Sequence, residues 1–209
     1  MRLTITRKHT GKMAGMTSLN THVLNNPFCQ RQVKANIICS QCYAKAIVHQ
    51  YSDCDFKSWI DNGKLLSERL LKYSEIPNFR NKEVMRFHSF GELFNEIHLR
   101  NFIRIARNNS GIMFALWSKR ADLIRDCKEP VPFNMILVYS TPRINGKARL
   151  PKGYHKVFTV FNAKYAMKNS IDINCSAKCI DCLLCYSRET TDTINEVLKS
   201  EAHFYGEGH

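Results

Sequence analysis

The segment Cys175-Ser-Ala-Lys-Cys179-Ile-Asp-Cys182-Leu-Leu-Cys185 carries four thiols close together. Short gaps let successive sulfurs turn toward one centre, and thiolates are soft ligands suited to zinc or to iron–sulfur clusters. Structural zinc sites usually draw their ligands from two knuckles separated by a longer loop, so the tight run favours the wrapping of a [4Fe–4S] cluster over a zinc ion. Four free thiols so close would be an oxidation liability with no packing advantage over Val or Ala. Cys29, Cys39 and Cys42 form a second group, one thiol short of a closed site. Three ligands leave one iron of a cluster, or one position of a zinc ion, open to a substrate, a cofactor or water. Cys54 is the alternative fourth ligand, which would close that site around a structural zinc. Cys127 stands apart and reads as an ordinary buried cysteine.

These groups need elements to hold them. From Phe56 to Tyr73 apolar residues recur at helical spacing, with Asp53 or Asp55 available as a cap. The stretch from Val84 to Phe90 reads as a strand, with Arg86 and His88 expected on one face and Met85 and Phe87 on the other. Gly91 breaks it, and helical spacing returns from Leu93 to Ala106. Strand Ile112–Trp117, helix Ala121–Asp126 and strands Asn134–Tyr139 and Val157–Phe161 follow, with a C-terminal helix expected from Thr191 to Glu201. Strands alternating with helices, fewer than eight in number, predict an α/β fold. Its form is a partial (incomplete) β/α barrel with cysteine-rich N- and C-terminal metal- or cluster-binding segments. We divide one domain, 1–209, into an irregular lead-in with one short strand and the first cysteine group (1–55), a β/α core (56–165) and the four-cysteine segment with its tail (166–209).

In such folds chemistry gathers at the C-terminal ends of the strands. His88, Ser89 and Glu92 follow the first core strand, Ser118, Lys119 and Arg120 the second, Ser140, Thr141 and Arg143 the third, and Asn162 and Lys164 the fourth. Any one of these alone reads as a capped helix start or a solvated turn. Their repetition at equivalent positions points to a pocket. His88, Glu92 and Lys119 are the candidate catalytic residues, and Ser89, Gly91, Glu92, Ser140 and Arg143 the candidate cofactor-binding set.

The 209 residues are 44% hydrophobic, enough for one well-buried core. No apolar run approaches membrane-spanning length, and the first residues lack the apolar stretch of a secretory signal, so a soluble, cytoplasmic protein is expected. Nine cysteines, an odd and clustered set, fit metal ligation in a reducing compartment better than a disulfide scaffold. A formal charge of +13 favours an anionic partner, either nucleic acid or a phosphorylated small molecule, with solubility alone as the bland alternative. His203 and His209 lie near the end, as ligands or as part of a solvated tail.

Taken together, Cys29, Cys39-x-x-Cys42-Tyr-Ala, Arg86-x-His88-Ser-x-Gly91-Glu92, Trp117-Ser-Lys119-Arg120 and the four-cysteine segment resemble a family of phage-encoded proteins, the gene product 88 family. The similarity runs from about residue 13 to about residue 188. Here Glu92 stands where the family usually has Asp, and Tyr186 where it usually has Trp. The resemblance implies a phage or prophage origin, hence the host cytosol, and a metal or iron–sulfur protein. A more distant similarity is to the radical S-adenosylmethionine enzymes. In those, a three-cysteine loop after the first strand of a partial barrel holds a [4Fe–4S] cluster with one open iron, and a Gly-Gly-Glu element meets the amino group of the cofactor. Cys29, Cys39 and Cys42 look like a variant of that loop, with a longer first gap and with Tyr43 following. Ser89-Phe-Gly91-Glu92 looks like a variant of the second element, and Cys175, Cys179, Cys182 and Cys185 would hold an auxiliary cluster.

Three functions are consistent with these features. The first is an iron–sulfur enzyme that uses S-adenosylmethionine, with Glu92 on the cofactor amine and His88, Lys119 and Arg143 orienting an anionic substrate. The second is a zinc-stabilised protein acting on nucleic acid, for instance by base exchange of the transglycosylase kind, with Glu92 attacking or protonating. The third is a non-enzymatic phage factor that binds a host protein, its metals serving only the fold.

Overall fold

Alternating apolar side chains and parallel pairing build one open sheet. The computed structural model describes residues 2–32, 37–51, 56–79 and 83–201. Strands β1 (Ser18–Leu19), β2 (Val84–Phe87), β3 (Met113–Ser118), β4 (Met135–Ser140), β5 (Lys156–Phe161) and β6 (Thr193–Val197) lie side by side in chain order. Each is parallel to the next, and β1 does not pair with β6. Parallel neighbours joined in sequence require a crossover each time, and α3 and α4 pack on one face of the sheet. Between β1 and β2 run α1 (Pro27–Gln32), α2 (Tyr43–Gln50) and α3 (Lys57–Glu68). Then α4 (Glu96–Asn108) joins β2 to β3, and α5 (Ala121–Asp126) joins β3 to β4. A loop joins β4 to β5, and α6 (Ala163–Lys168) and α7 (Cys179–Cys182) precede β6.

The helix-side core holds Met85, Phe87, Phe114 and Leu116 against Leu66 of α3 and Leu99 and Phe102 of α4. Phe87 stacks on Phe102 with ring centroids 4.1 Å apart and on Phe114 at 4.7 Å. Fully burying a phenylalanine contributes roughly 1.5–3 kcal/mol, so this trio ties β2, β3 and α4 together. The other face presents Ala115, Ile136, Val138, Phe158 and Ile194. It is covered by Met13 and Met16 from the start of the chain and by Cys175, Cys179, Cys185 and Tyr186. The four-thiol segment thus occupies the side that a closed barrel would turn inward.

Both sheet edges are occupied, which removes the unpaired backbone that invites strand addition. Thr6 exchanges backbone bonds of 2.8 and 2.9 Å with Ser18 on β1. At β6 the Cys175 N–H donates to the Asn195 carbonyl at 3.0 Å, and the Asn174 side chain bonds Thr193 and Asn195.

Several sequence expectations are corrected. The stretch expected to be helical from Thr191 to Glu201 contains β6, because β-branched Thr193, Ile194 and Val197 complete a ladder with β5. The lead-in contains α1 and α2. Helix α3 ends at Glu68, before Tyr73, and α4 begins at Glu96, where the Asn95 side chain accepts from the His98 N–H at 3.0 Å. His88 does not share the face of Arg86. Its φ of 61° breaks the strand alternation and turns the ring to the helix side, against His98 and Phe102. Cys54, the capping candidates Asp53 and Asp55, and the tail residues His203 and His209 lie outside the described residues.

Candidate functional site

Glu92 follows β2 and is only 6% exposed. Its carboxylate accepts from the Ser118 hydroxyl at 2.6 Å and from the backbone N–H groups of Leu93 and Lys119, each at 2.8 Å. Burial pushes this carboxyl above its ordinary value, opposed by those three bonds and by the Lys119 charge. The Lys119 ammonium donates to the Ser140 hydroxyl at 2.6 Å. Glu92, Ser118, Lys119 and Ser140 therefore form one polar chain across the C-terminal ends of β2, β3 and β4.

The first thiol group is fastened to that edge. The Asn26 amide donates to the Glu92 carbonyl at 2.8 Å, while its oxygen accepts from the Phe28 N–H at 2.9 Å and the Cys29 N–H at 3.4 Å. The Ile38 N–H donates to the Pro142 carbonyl at 2.9 Å, holding the turn Ile38–Gln41 against the loop after β4. Tyr43 donates its hydroxyl to the Ser89 carbonyl. Cys29 and Cys39 consequently share one electrostatic environment with Glu92 and Lys119, and both feel the Cys42 thiol. Burial pushes the Cys29 thiol far up, Glu92 and the two neighbouring thiols add to this, and Lys119 opposes it. Burial also raises Cys39, again with Lys119 opposing.

His88, Ser89 and Gly91 lie in the joint between β1 and β2. His88 Nε2 is 3.4 Å from the Thr21 hydroxyl, and its buried Nδ1 has no hydrogen-bond partner. Burial, helped by Arg86, lowers its pKa to about 3, so the ring is neutral at physiological pH. The Ser89 hydroxyl lies 2.9 Å from both the Ser18 hydroxyl and the Asn20 side-chain oxygen. Asn20 also accepts from the Ser89 and Phe90 N–H groups at 3.0 and 3.1 Å. Gly91 has φ 115°, and a Cβ there would fall 2.9 Å from the Thr21 carbonyl oxygen. Arg143 is exposed on the rim. The structure thus gathers Glu92, Lys119, Ser140 and the three thiols, and sets the other four candidates around them.

The second group surrounds α7. Cys179 opens this helix, Cys182 closes it, and Leu183 turns the chain with φ 53°. Lys12 donates to the Cys175 carbonyl at 2.6 Å and to Glu196 at 2.7 Å. Burial pushes Cys175 and Cys185 each up to about 12 and raises Cys179 as well, with Arg86 opposing the rise at Cys179 and Cys185. The Arg86 guanidinium lies 4.0 Å from the centroid of the Trp117 ring. Trp117, Cys175 and Cys185 pack against the same apolar cluster, and the buried indole N–H of Trp117 has no acceptor.

Tyr43 stands between the two groups, with its phenol influenced by Cys42 on one side and by Cys179 and Arg86 on the other. The Lys199 ammonium lies 3.8 Å from its ring centroid. Sequence reasoning missed Asn20, Asn26, Tyr43 and Lys199 as parts of the site. Only Tyr43 carried a signal, being adjacent to Cys42.

Among the described residues, no three His, Cys, Asp or Glu side chains converge closely enough to grip a metal ion as they stand. The donor chemistry nevertheless fits a thiolate-held centre. Each thiol group has a cation to offset thiolate charge, Lys119 for the first and Arg86 with Lys12 for the second. The orphaned indole N–H is a donor suited to a sulfur acceptor.

Fold and site together define an α/β protein with an open, sequentially ordered parallel sheet and two thiol groups, one at the strand ends and one across the sheet face. The profile of the family described as Gene product 88 matches residues 3–202, so the chain belongs to that family of phage proteins. No curated protein and no solved structure matches it. Among the described residues, no helix is long and apolar enough to cross a membrane.

Proposed function

We propose that this Gene product 88 protein is an iron–sulfur enzyme of the radical S-adenosylmethionine kind. Cys29, Cys39 and Cys42 would hold a [4Fe–4S] cluster with one open iron, and Cys175, Cys179, Cys182 and Cys185 an auxiliary one. The observation that carries this reading is the fastening of the three-thiol segment beside Glu92 and Lys119 at the C-terminal ends of parallel strands, through Asn26 to Glu92 and Cys29 and through Ile38 to Pro142. When bound, such a cluster supplies the electron for reductive cleavage of the sulfonium cofactor. Glu92 offers its remaining acceptor capacity to the cofactor amine, Lys119 and Ser140 offer donors to carboxylate or phosphate, and Arg143 extends the positive charge outward. His88, neutral and packed on Phe102, fixes the β2 terminus that carries Glu92.

The test is anaerobic purification followed by iron analysis, absorption spectroscopy and an assay for cofactor cleavage. A brown protein with about four irons per centre is expected. A colourless protein with one or two zinc ions overturns the proposal. It selects instead a zinc-stabilised protein acting on nucleic acid, a reading favoured by the upward shift of the Glu92 carboxyl, which suits a general acid.

A further inference from the structure

Residues 130–171 contain seven Lys and Arg and no Asp or Glu, so a fifth of the chain carries more than half of the net charge of +13. Lys156 is buried and bonds the Thr190 hydroxyl at 2.9 Å and the Thr191 carbonyl at 2.6 Å. The other six are exposed: Arg143, Lys147, Arg149 and Lys152 on the loop from β4 to β5, and Lys164 and Lys168 on α6. Among the described residues, none of these six side chains makes a hydrogen bond or ion pair. Four surface arginines elsewhere are paired, although among the described residues exposed Arg2, Arg7 and Arg31 are not. Arg69 pairs with Glu75, Arg100 and Arg107 with Glu129, and Arg125 with Asp126.

The fold joins the start of this basic loop to α6. The Asn145 N–H donates to the Val160 carbonyl at 3.0 Å, its amide donates to the Asn162 oxygen at 2.7 Å, and its oxygen accepts from the Asn162 N–H at 2.8 Å. Loop and helix are thereby joined at the C-terminal ends of β4 and β5. The same loop receives the Ile38 N–H at Pro142, beside Cys39, so the basic surface runs into the three-thiol edge. Tyr165 on α6 is 39% exposed and is backed by Phe161, whose ring lies within 15° of parallel. Between the loop and residues 169–172 lies a groove of about 370 Å³ lined by Lys147, Thr159, Asn169 and Asn195 together with apolar Val157 and Ile171, with Asp172 at its side.

We propose that this surface binds a single strand of nucleic acid, with phosphodiesters on the loop and helix cations and a base on Tyr165. Six unpaired cations spread over two elements exceed what one small phosphate would use. An exposed aromatic ring near a groove that offers amide and hydroxyl groups beside apolar side chains suits the flat faces and polar edges of bases. Delivery of the strand to the three-thiol edge rests on the proposed function; binding itself does not.

Fluorescence anisotropy of the full chain with labelled oligodeoxythymidylate and oligouridylate, each about sixteen nucleotides long, tests this across a salt series. The triple variant Arg143→Gln/Lys147→Gln/Arg149→Gln should lose at least about tenfold in affinity, and its log–log salt slope should fall by about 2. The triple Lys8→Gln/Lys64→Gln/Lys128→Gln, which removes the same charge from other exposed sites, should stay within about twofold of the unaltered protein. Tyr165→Ala should weaken binding while leaving the slope unchanged. Equal loss in both triples, no binding at low salt, or equally strong binding of polyglutamate overturns the proposal. Iron content and spectrum, read on the same preparations, separate the two readings. A colourless protein that binds the strand refutes only the cluster, and a brown one that does not bind refutes only this surface.

Discussion

The hydroxyl of Ser118 stands 2.6 Å from Oε1 of Glu92, so the last residue of β3 helps to hold a carboxylate that follows β2. Ser118→Ala would leave this buried group with two donors. We expect a loss of about 1–3 kcal/mol in urea unfolding, and a further rise of the Glu92 carboxyl, readable by carbon NMR titration. Unchanged stability would mean that the bond contributes nothing net.

Gly91→Ala should be severely destabilising. Gly91 has φ 115°, and the Thr21 carbonyl cannot move out of the way of a new Cβ without separating β1 from β2. About 2–3 kcal/mol is expected from strain and close contact. Gly111→Ala, with open space around it, is the control and should lower the melting temperature little.

Acid should weaken the fold before most carboxylates titrate. Burial lowers His88 to about 3 and His155 to about 4, and lowers His98 as well. An unfolded histidine titrates near 6.5, so between these values the unfolded chain binds more protons and stability rises with pH. The contribution is complete above about pH 6.5 and is lost as pH falls toward 4 and then 3. Urea midpoints at pH 7, 5.5 and 4.5 should decrease in that order, and a flat series would contradict the burial of these rings.

Separate centres should empty separately. Cys39→Ser should remove about four irons and leave those of the second group, and Cys182→Ser the reverse. Simultaneous loss of all metal in either variant would show a single shared site. Chelation should increase protease cleavage within 175–186 more than within the helices, since that segment covers one sheet face.

Much of the scaffold was readable before any coordinates because its signals are local. Met113–Ser118 and Met135–Ser140 are nearly continuous apolar runs, as strands buried on both faces require. Ala121–Asp126 follows a polar turn and forms the short helix expected. Glu92, Lys119 and Ser140 were legible since each sits at or just after the end of a strand. Strand β6 was not, because Asn195 and Glu196 mask its alternation and its pairing with β5 is a long-range fact. The turned ring of His88 comes from a positive φ that no periodicity encodes. Asn20 and Asn26 look like ordinary loop asparagines until partners roughly seventy positions away are brought to them.

Lys12 bonds the carbonyl of Cys175 and the carboxylate of Glu196, contacts that span 163 and 184 positions of chain. During synthesis the first five strands can assemble while residues 175–197 are still inside the ribosome. Until they emerge, a nascent molecule carries a greasy, half-clad β-surface, the kind of transient exposure that recruits chaperones or leads to aggregation. The host's translation machinery therefore sets the moment at which this protein becomes safe from its own stickiness, and a product stopped before residue 175 should be cleared rather than accumulate.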